Sequence, residues 1–144
     1  MKPKTILMLL LALILLGVAI GLYMYNKPRP DITKAVPEFV LPALDLSREF
    51  IANDSLAGVK YTGHTVQISG SIADIQADSV HGIILTLDDP MAGVRCAMDK
   101  VLVPLSEKNT LVKGTNVEVK GICAGFDEFF GVVVNRCVFA QPKK

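Results

Sequence analysis

The chain has 144 residues, a formal net charge of +1, no tryptophan and three cysteines. From Ala43 to Pro142 there are 8 Lys plus Arg against 12 Asp plus Glu, which leaves this stretch at −4, the wrong sign for a surface that binds phosphates. The cysteines are 27 and 14 residues apart and form no C-x-x-C pair, so zinc-ligand spacing is absent and no metal is expected.

The first predicted element is a helix. Ile6 to Tyr25 is an uncharged apolar run flanked by Lys2 and Lys4 before it and by Lys27 and Arg29 after it. At about 1.5 Å per residue it reaches roughly 30 Å, enough to cross a bilayer. A cleaved secretory signal usually has a shorter apolar core that ends in a small-x-small site. The only late candidate is Ala19-Ile20-Gly21, with four more apolar or aromatic residues beyond it. Residues 1–25 are therefore expected to be an uncleaved anchor. No cysteine precedes Cys96, so no lipid-attachment residue follows the run. The flanking charges are nearly balanced; long domains translocate largely regardless of such charges. The expected topology is an N-terminus in the cytoplasm and a domain outside it, in a periplasm or at a cell surface.

Residues 26–42 carry Pro28, Pro30, Pro37 and Pro42 and read as an extended proline-rich linker. The remainder, 43–144, has the size of one domain.

Its first element is one short amphipathic helix from Asp45 to Ala57, with Asp45 or Ser47 as N-cap and Gly58 as its stop. After it the period changes to two. Val66, Ile68 and Ile72 alternate with polar residues, and Gly70 is placed to bend or bulge the strand. Ile83, Leu85 and Leu87 phase a second strand over His81 to Leu87, and Val94, Cys96 and Met98 a third. Pro104 to Lys113 is a short non-strand piece before Gly114. Val117, Val119, Gly121 and Cys123 mark a fourth strand, and Val132 to Phe139 a fifth.

Three strands, a short helical connection and two more strands are the order of an OB-fold, a five-stranded Greek-key barrel with a helix between strands three and four. The expected class is mostly β, with an N-terminal amphipathic helix before the barrel and one transmembrane helix before that. Particular words strengthen it. SREFIANDSLAGVKYTGHTVQISGSI resembles the lead-in of the tRNA_anti-like OB-fold family, where an acidic helix ending in a tyrosine feeds the first strand and its glycine. GVRCAMDK, VKGTNVEVKGICAGF and VVVNRCVF resemble its third, fourth and fifth strands, so the resemblance covers Leu44 to Phe139. It implies a fold related to anticodon-binding domains and no defined activity.

OB-folds that hold single strands combine a positive groove with aromatic platforms on strands two and three. No Phe, Tyr or Trp occurs from Thr62 to Gly125. Nucleic acid or a nucleotide is thus the alternative ligand, and an unidentified protein, glycan or envelope component the preferred one.

Two loops would flank the binding side. Asp74 to His81 is polar. Phe126, Asp127, Glu128, Phe129 and Phe130 place three of the six phenylalanines in one hairpin, which reads either as a plug in the barrel end or as an exposed partner-binding patch. The cysteines read as small buried hydrophobes; alternatively Cys123 and Cys137, on strands expected to form a hairpin, could be bridged. His64 and His81 suit surface positions. Asp88, Asp89 and Asp99 suit strand-end turns. With no nucleophile and base at a recognisable spacing, neither a catalytic residue nor a cofactor is expected.

Overall fold

The structure, a computed structural model, describes residues 3–27, 31–80, 82–103 and 105–140. Lys2, Pro28, Arg29, Pro30, His81, Pro104 and Pro142, which the sequence reading used, lie outside them. The chain divides into two compact units, 1–30 and 31–144. The first holds helix α1 (Pro3–Asn26). It is long and apolar enough to cross a membrane, and none of its described residues is buried.

The second unit begins earlier than expected. Residues 31–42 are not a free linker: Ile32 is buried and Phe39–Pro42 forms strand β1. Its parallel register on the following strand runs from Phe39↔Val66 to Pro42↔Ser69. Two polar ties hold the segment down. Lys120 Nζ donates to the carbonyls of Thr33 and Ala35, both at 2.9 Å, and the Glu38 carboxylate lies 2.6 Å from His64 Nδ1.

The expected single helix is two, α2 (Ala43–Ala52) and α3 (Asp54–Tyr61). Asn53 separates them in an extended conformation, φ −159°. Its side-chain oxygen accepts from Leu56 N at 3.1 Å, so an asparagine caps the second helix in the ordinary way. Gly58 is therefore inside α3 and stops nothing, and α2 starts after Pro42 without a side-chain cap. Ala43, Leu46, Ser47 and Phe50 are the buried stripe of α2, the i, i+3, i+4, i+7 spacing that presents one helical face.

Five strands close the barrel: β2 (Thr65–Asp78), β3 (Gly82–Leu87), β4 (Val94–Met98), β5 (Asn116–Asp127) and β6 (Gly131–Phe139). A 3-10 turn (Leu105–Thr110) sits between β4 and β5. The sheet order is β1-β2-β3-β4-β6-β5, and the additional β2–β5 pairing shuts the cylinder. The β4–β6 pairing is parallel and the other barrel pairings are antiparallel. This is the OB-fold order, with β1 added outside it. Inward residues alternate as the period-2 pattern requires: Val66, Ile68, Ile72, Ile83, Leu85, Leu87, Val94, Cys96 and Met98 are all buried.

Besides β1, strand β2 serves two partners within the barrel, β5 through residues 65–71 and β3 through residues 72–78. The irregularity that accompanies the change lies between Ile72 and Asp74, at Ala73 and not at the expected Gly70. Gly70 stays in the ladder opposite Val117, but a Cβ there would come within 3.0 Å of the Asp88 carboxylate. A second irregularity, where β5 meets β6, skips Gly121. Its missing Cβ would meet Cys137 Sγ and Val134 Cγ1 at 2.7 Å, so only glycine fits.

One end of the barrel is sealed by rings. Phe39 meets Tyr61 edge-on at 4.9 Å between centroids, Tyr61 lies 6.1 Å from Phe50, and Phe50 stacks on Phe126 at 6.2 Å.

Candidate binding face

The β5–β6 hairpin turns through Glu128, Phe129 and Phe130 between the paired ends Asp127 and Gly131. Asp127 Oδ1 accepts from the amides of Phe129 at 2.8 Å and Phe130 at 3.2 Å, a local side-chain bond that fixes the turn. Gly131 has φ 74°, and a Cβ there would lie 2.4 Å from the Gly93 carbonyl. The hairpin tip is thereby packed onto the β3–β4 turn.

This geometry separates the five residues of the expected patch. Phe126 is half-buried against Phe50 and the core, as the plug reading holds, and the Asp127 carboxylate is engaged by the turn. Glu128 is exposed. Phe129 is 83 % exposed and Phe130 52 %, so the exposed apolar surface of the hairpin is these two rings.

The Phe130 ring is not isolated. The Arg95 guanidinium lies over it, 4.4 Å from the centroid, a cation–π separation. Arg95 points outward from β4 between the inward Val94 and Cys96, and in register it faces Thr86 on β3, which faces Asp74 on β2. The side chains of this outer face form a chain. Lys113 Nζ lies 2.6 Å from Asp74 Oδ1, Gln76 Nε2 donates to Asp74 Oδ2 at 3.2 Å, and Arg95 Nη2 donates to Gln76 Oε1 at 3.2 Å. Lys113, then Gln76, hold the Asp74 carboxyl below its ordinary pKa. The expected polar loop Asp74 to His81 is thus largely strand. One of its two aspartates, Asp74, anchors the row; His81 falls outside the described residues.

Sequence reasoning missed the row because its members are far apart in the chain and meet only through strand register. The outward phase of Arg95 between Val94 and Cys96 was the one available signal.

The remaining candidates have local roles. His64 is paired with Glu38. Asp88 accepts from Ser71 N at 2.9 Å, Asp89 from the amides of Met91 and Ala92, and Asp99 from Val101 N. Among the described residues no group of three or more His, Cys, Asp or Glu is placed to hold a metal ion. A separate cleft of about 670 Å³ has Ser69, Gly70, Asp88, Asp89 and Glu118 in its lining, and its charged residues there are acidic.

The Cys123–Cys137 bridge is not formed. All three thiols are free and buried. Cys123 faces Val134, three residues from Cys137 along β6.

The profile of the tRNA_anti-like family matches residues 1–138. The chain belongs to the tRNA_anti-like family. None of the curated proteins matches it. Among solved structures, a Klebsiella pneumoniae protein presented as a candidate nucleic acid-binding lipoprotein is similar at a TM-score of 0.57 and 15 % identity, over 80 % of this chain and all of that one. At this identity the likeness concerns the fold alone. The asparaginyl-tRNA synthetase of Pyrococcus horikoshii is similar over 58 % of this chain and 21 % of its own, with a TM-score of 0.42 and 19 % identity. The chain spans about a fifth of that synthetase.

Proposed function

We propose that this tRNA_anti-like protein is a non-enzymatic binding module, tethered to a membrane by α1 with its barrel outside the cytoplasm. It takes an extended segment of a protein or glycan on the row Asp74–Gln76–Arg95 and the rings of Phe129 and Phe130. The observation that carries this reading is the Arg95–Phe130 stack, which offers hydrogen-bond donors and an aromatic surface at one exposed point of an OB-fold barrel. The apolar, unburied α1 supports the tether, and the Klebsiella protein, presented as a lipoprotein, supports an envelope location.

Nucleic acid is the second reading. It is favoured by the same stacked pair, since arginine and aromatic planes accept bases, and by the nucleic acid binding suggested for the Klebsiella protein. Against it stand the net −4 over Ala43 to Pro142 and the acidic cleft.

Titrating the full chain in detergent micelles with a chito-oligosaccharide, an extended peptide and oligothymidylate, and following backbone amide shifts, separates the two. Shifts at Arg95, Phe129 and Phe130 with the sugar or the peptide, and none with oligothymidylate at physiological salt, are expected. Oligothymidylate shifts on the same amides that weaken steeply with salt would replace this reading by the second. Protease added outside intact inner membranes should digest the barrel; protection would overturn the topology.

A further inference from the structure

The row Lys113–Asp74–Gln76–Arg95 carries one cation without an anionic partner. Lys113 Nζ lies 2.6 Å from Asp74 Oδ1, so those two charges cancel. Among the described residues no carboxylate is in ion-pair contact with Arg95. Its Nη2 donates instead to the neutral Gln76 Oε1 at 3.2 Å, and the Phe130 ring lies 4.4 Å from the guanidinium carbon. Gln76 is itself turned by its donation to Asp74 Oδ2 at 3.2 Å. The guanidinium is therefore placed before any ligand arrives, which lowers the ordering cost of binding. A guanidinium is a planar fork of N–H donors that matches both oxygens of a carboxylate, and one of its nitrogens is taken up by Gln76.

Apolar side chains border this cation. Phe129 and Met91 are each 83 % exposed, and the turn that carries Met91 touches the hairpin where Gly131 meets Ala92 and Gly93. The barrel around them is acidic, −4 over Ala43 to Pro142. That charge opposes a polyanion along its whole length, whereas a single carboxylate feels chiefly the charges within about 8 Å at physiological salt.

The geometry points to a peptide with a carboxylate beside an apolar side chain as the ligand of this face. The carboxylate takes the free donors of Arg95, and the apolar side chain lies against Phe129 and Met91. This assignment rests on the binding-module reading above and names its ligand class. A peptide fits better than a glycan because the flexible thioether of Met91 packs well on apolar side chains, and sugar hydroxyls would leave it unmatched. The carboxylate belongs either to an acidic side chain or to a chain terminus.

Four capped peptides added to the full chain in detergent micelles separate these cases. They are acetyl-glycyl-phenylalanyl-glutamyl-glycinamide, its glutaminyl counterpart, and acetyl-glycyl-glycyl-phenylalanine as free acid and as amide. The readout is the Arg95 Nε signal and the backbone amides of Phe129 and Phe130. At least one acid is expected to shift these signals and to bind about fivefold tighter than its neutral counterpart, the difference between a charge-assisted and a neutral hydrogen bond. The glutamyl probe reports a side-chain carboxylate and the free acid a terminal one. Arg95→Gln should abolish the difference while the rest of the spectrum keeps the dispersion of the folded barrel. Equal binding of acid and neutral peptides, or a difference that survives Arg95→Gln, overturns the carboxylate assignment and leaves the peptide-binding module standing. Shifts with the chito-oligosaccharide and with none of the peptides overturn the assignment and leave a glycan-binding module. Shifts with oligothymidylate alone, or with no probe, overturn both.

Discussion

Arg95 and Phe130, 35 residues apart, meet at 4.4 Å on the outside of the barrel. They do so because β4 pairs with β6 and the hairpin tip folds over the β3–β4 turn. An exposed cation–π pair contributes about 0.5–1 kcal/mol. A double-mutant cycle of Arg95→Ala and Phe130→Ala in urea unfolding should return a coupling in that range. A coupling of zero would mean the ring and the guanidinium are not held together in solution. Both single variants should keep the fold and lose the amide shifts caused by the ligand.

Phe129 and Phe126 should part company on substitution. Phe129→Ser removes a ring that is 83 % exposed and should change stability by less than about 0.5 kcal/mol. Phe126→Ala empties the stack against Phe50 and, for a half-buried ring, should cost about 2 kcal/mol, below the range for fully buried phenylalanines. Equal effects in thermal unfolding would show that the two rings do not have the separate roles assigned to them.

At Gly121 alanine should be worse than at Gly58, inside α3. Its Cβ would meet two side-chain atoms at 2.7 Å and the Asn135 carbonyl at 2.9 Å, an overpacking that costs about 1–3 kcal/mol. Gly70→Val should also destabilise, because the Asp88 carboxylate that it displaces holds the Ser71 amide. A denaturation midpoint for Gly121→Ala equal to that of Gly58→Ala, where an added Cβ meets nothing closer than 3.9 Å, would count against the close β5–β6 packing at this residue.

Removal of the Asn53 cap has a defined cost. Asn53→Ala leaves Leu56 N without its side-chain acceptor and should lower stability by about 1 kcal/mol, while Asn53→Asp should restore most of it. If alanine is neutral, α2 and α3 are not held apart by this residue.

Acid should weaken the fold through carboxylates tied to donors. Glu38 is held below its ordinary value chiefly by His64, Asp74 chiefly by Lys113, and Asp89 by the amides of Met91 and Ala92. A carboxylate whose folded pKa is depressed contributes stability above its unfolded pKa and loses it as pH falls through the folded one. The melting temperature should therefore hold from neutrality down to about pH 5 and drop below about pH 4, near the unperturbed carboxylate range. Glu38→Gln should make the drop shallower; a steeper one would reverse the sign argued for this pair.

The strands of the barrel were legible because burial on one face imposes a period of two, and Val94 to Met98 coincides with β4 to the residue. The segment before Ala43 was not, since its four prolines masked the alternation of Phe39 and Leu41, both half-buried, with the exposed Val40. The broken helix was hidden for a similar reason: Asn53 within a continuous apolar pattern reads as one helix until its cap is visible. The outer-face row of Asp74, Gln76 and Arg95 and the placement of the cysteines depend on strand register, which a one-residue irregularity changes without altering the local pattern. Hence Cys137 pairs with Met98 and Cys123 with Val134.

The added strand β1 also decides where the domain can be cut. A chain trimmed to start at Ala43, the boundary that the proline pattern suggests, would lose Ile32 from the interior and leave Lys120 Nζ without its two carbonyls. It would also bare the backbone donors and acceptors of Val66 to Ser69 along one side of β2, an open edge that invites pairing with another copy. Self-association of the shortened chain would then reflect the missing strand and say nothing about the native oligomeric state, whereas a soluble piece that keeps Asp31 onward retains the edge in its covered form.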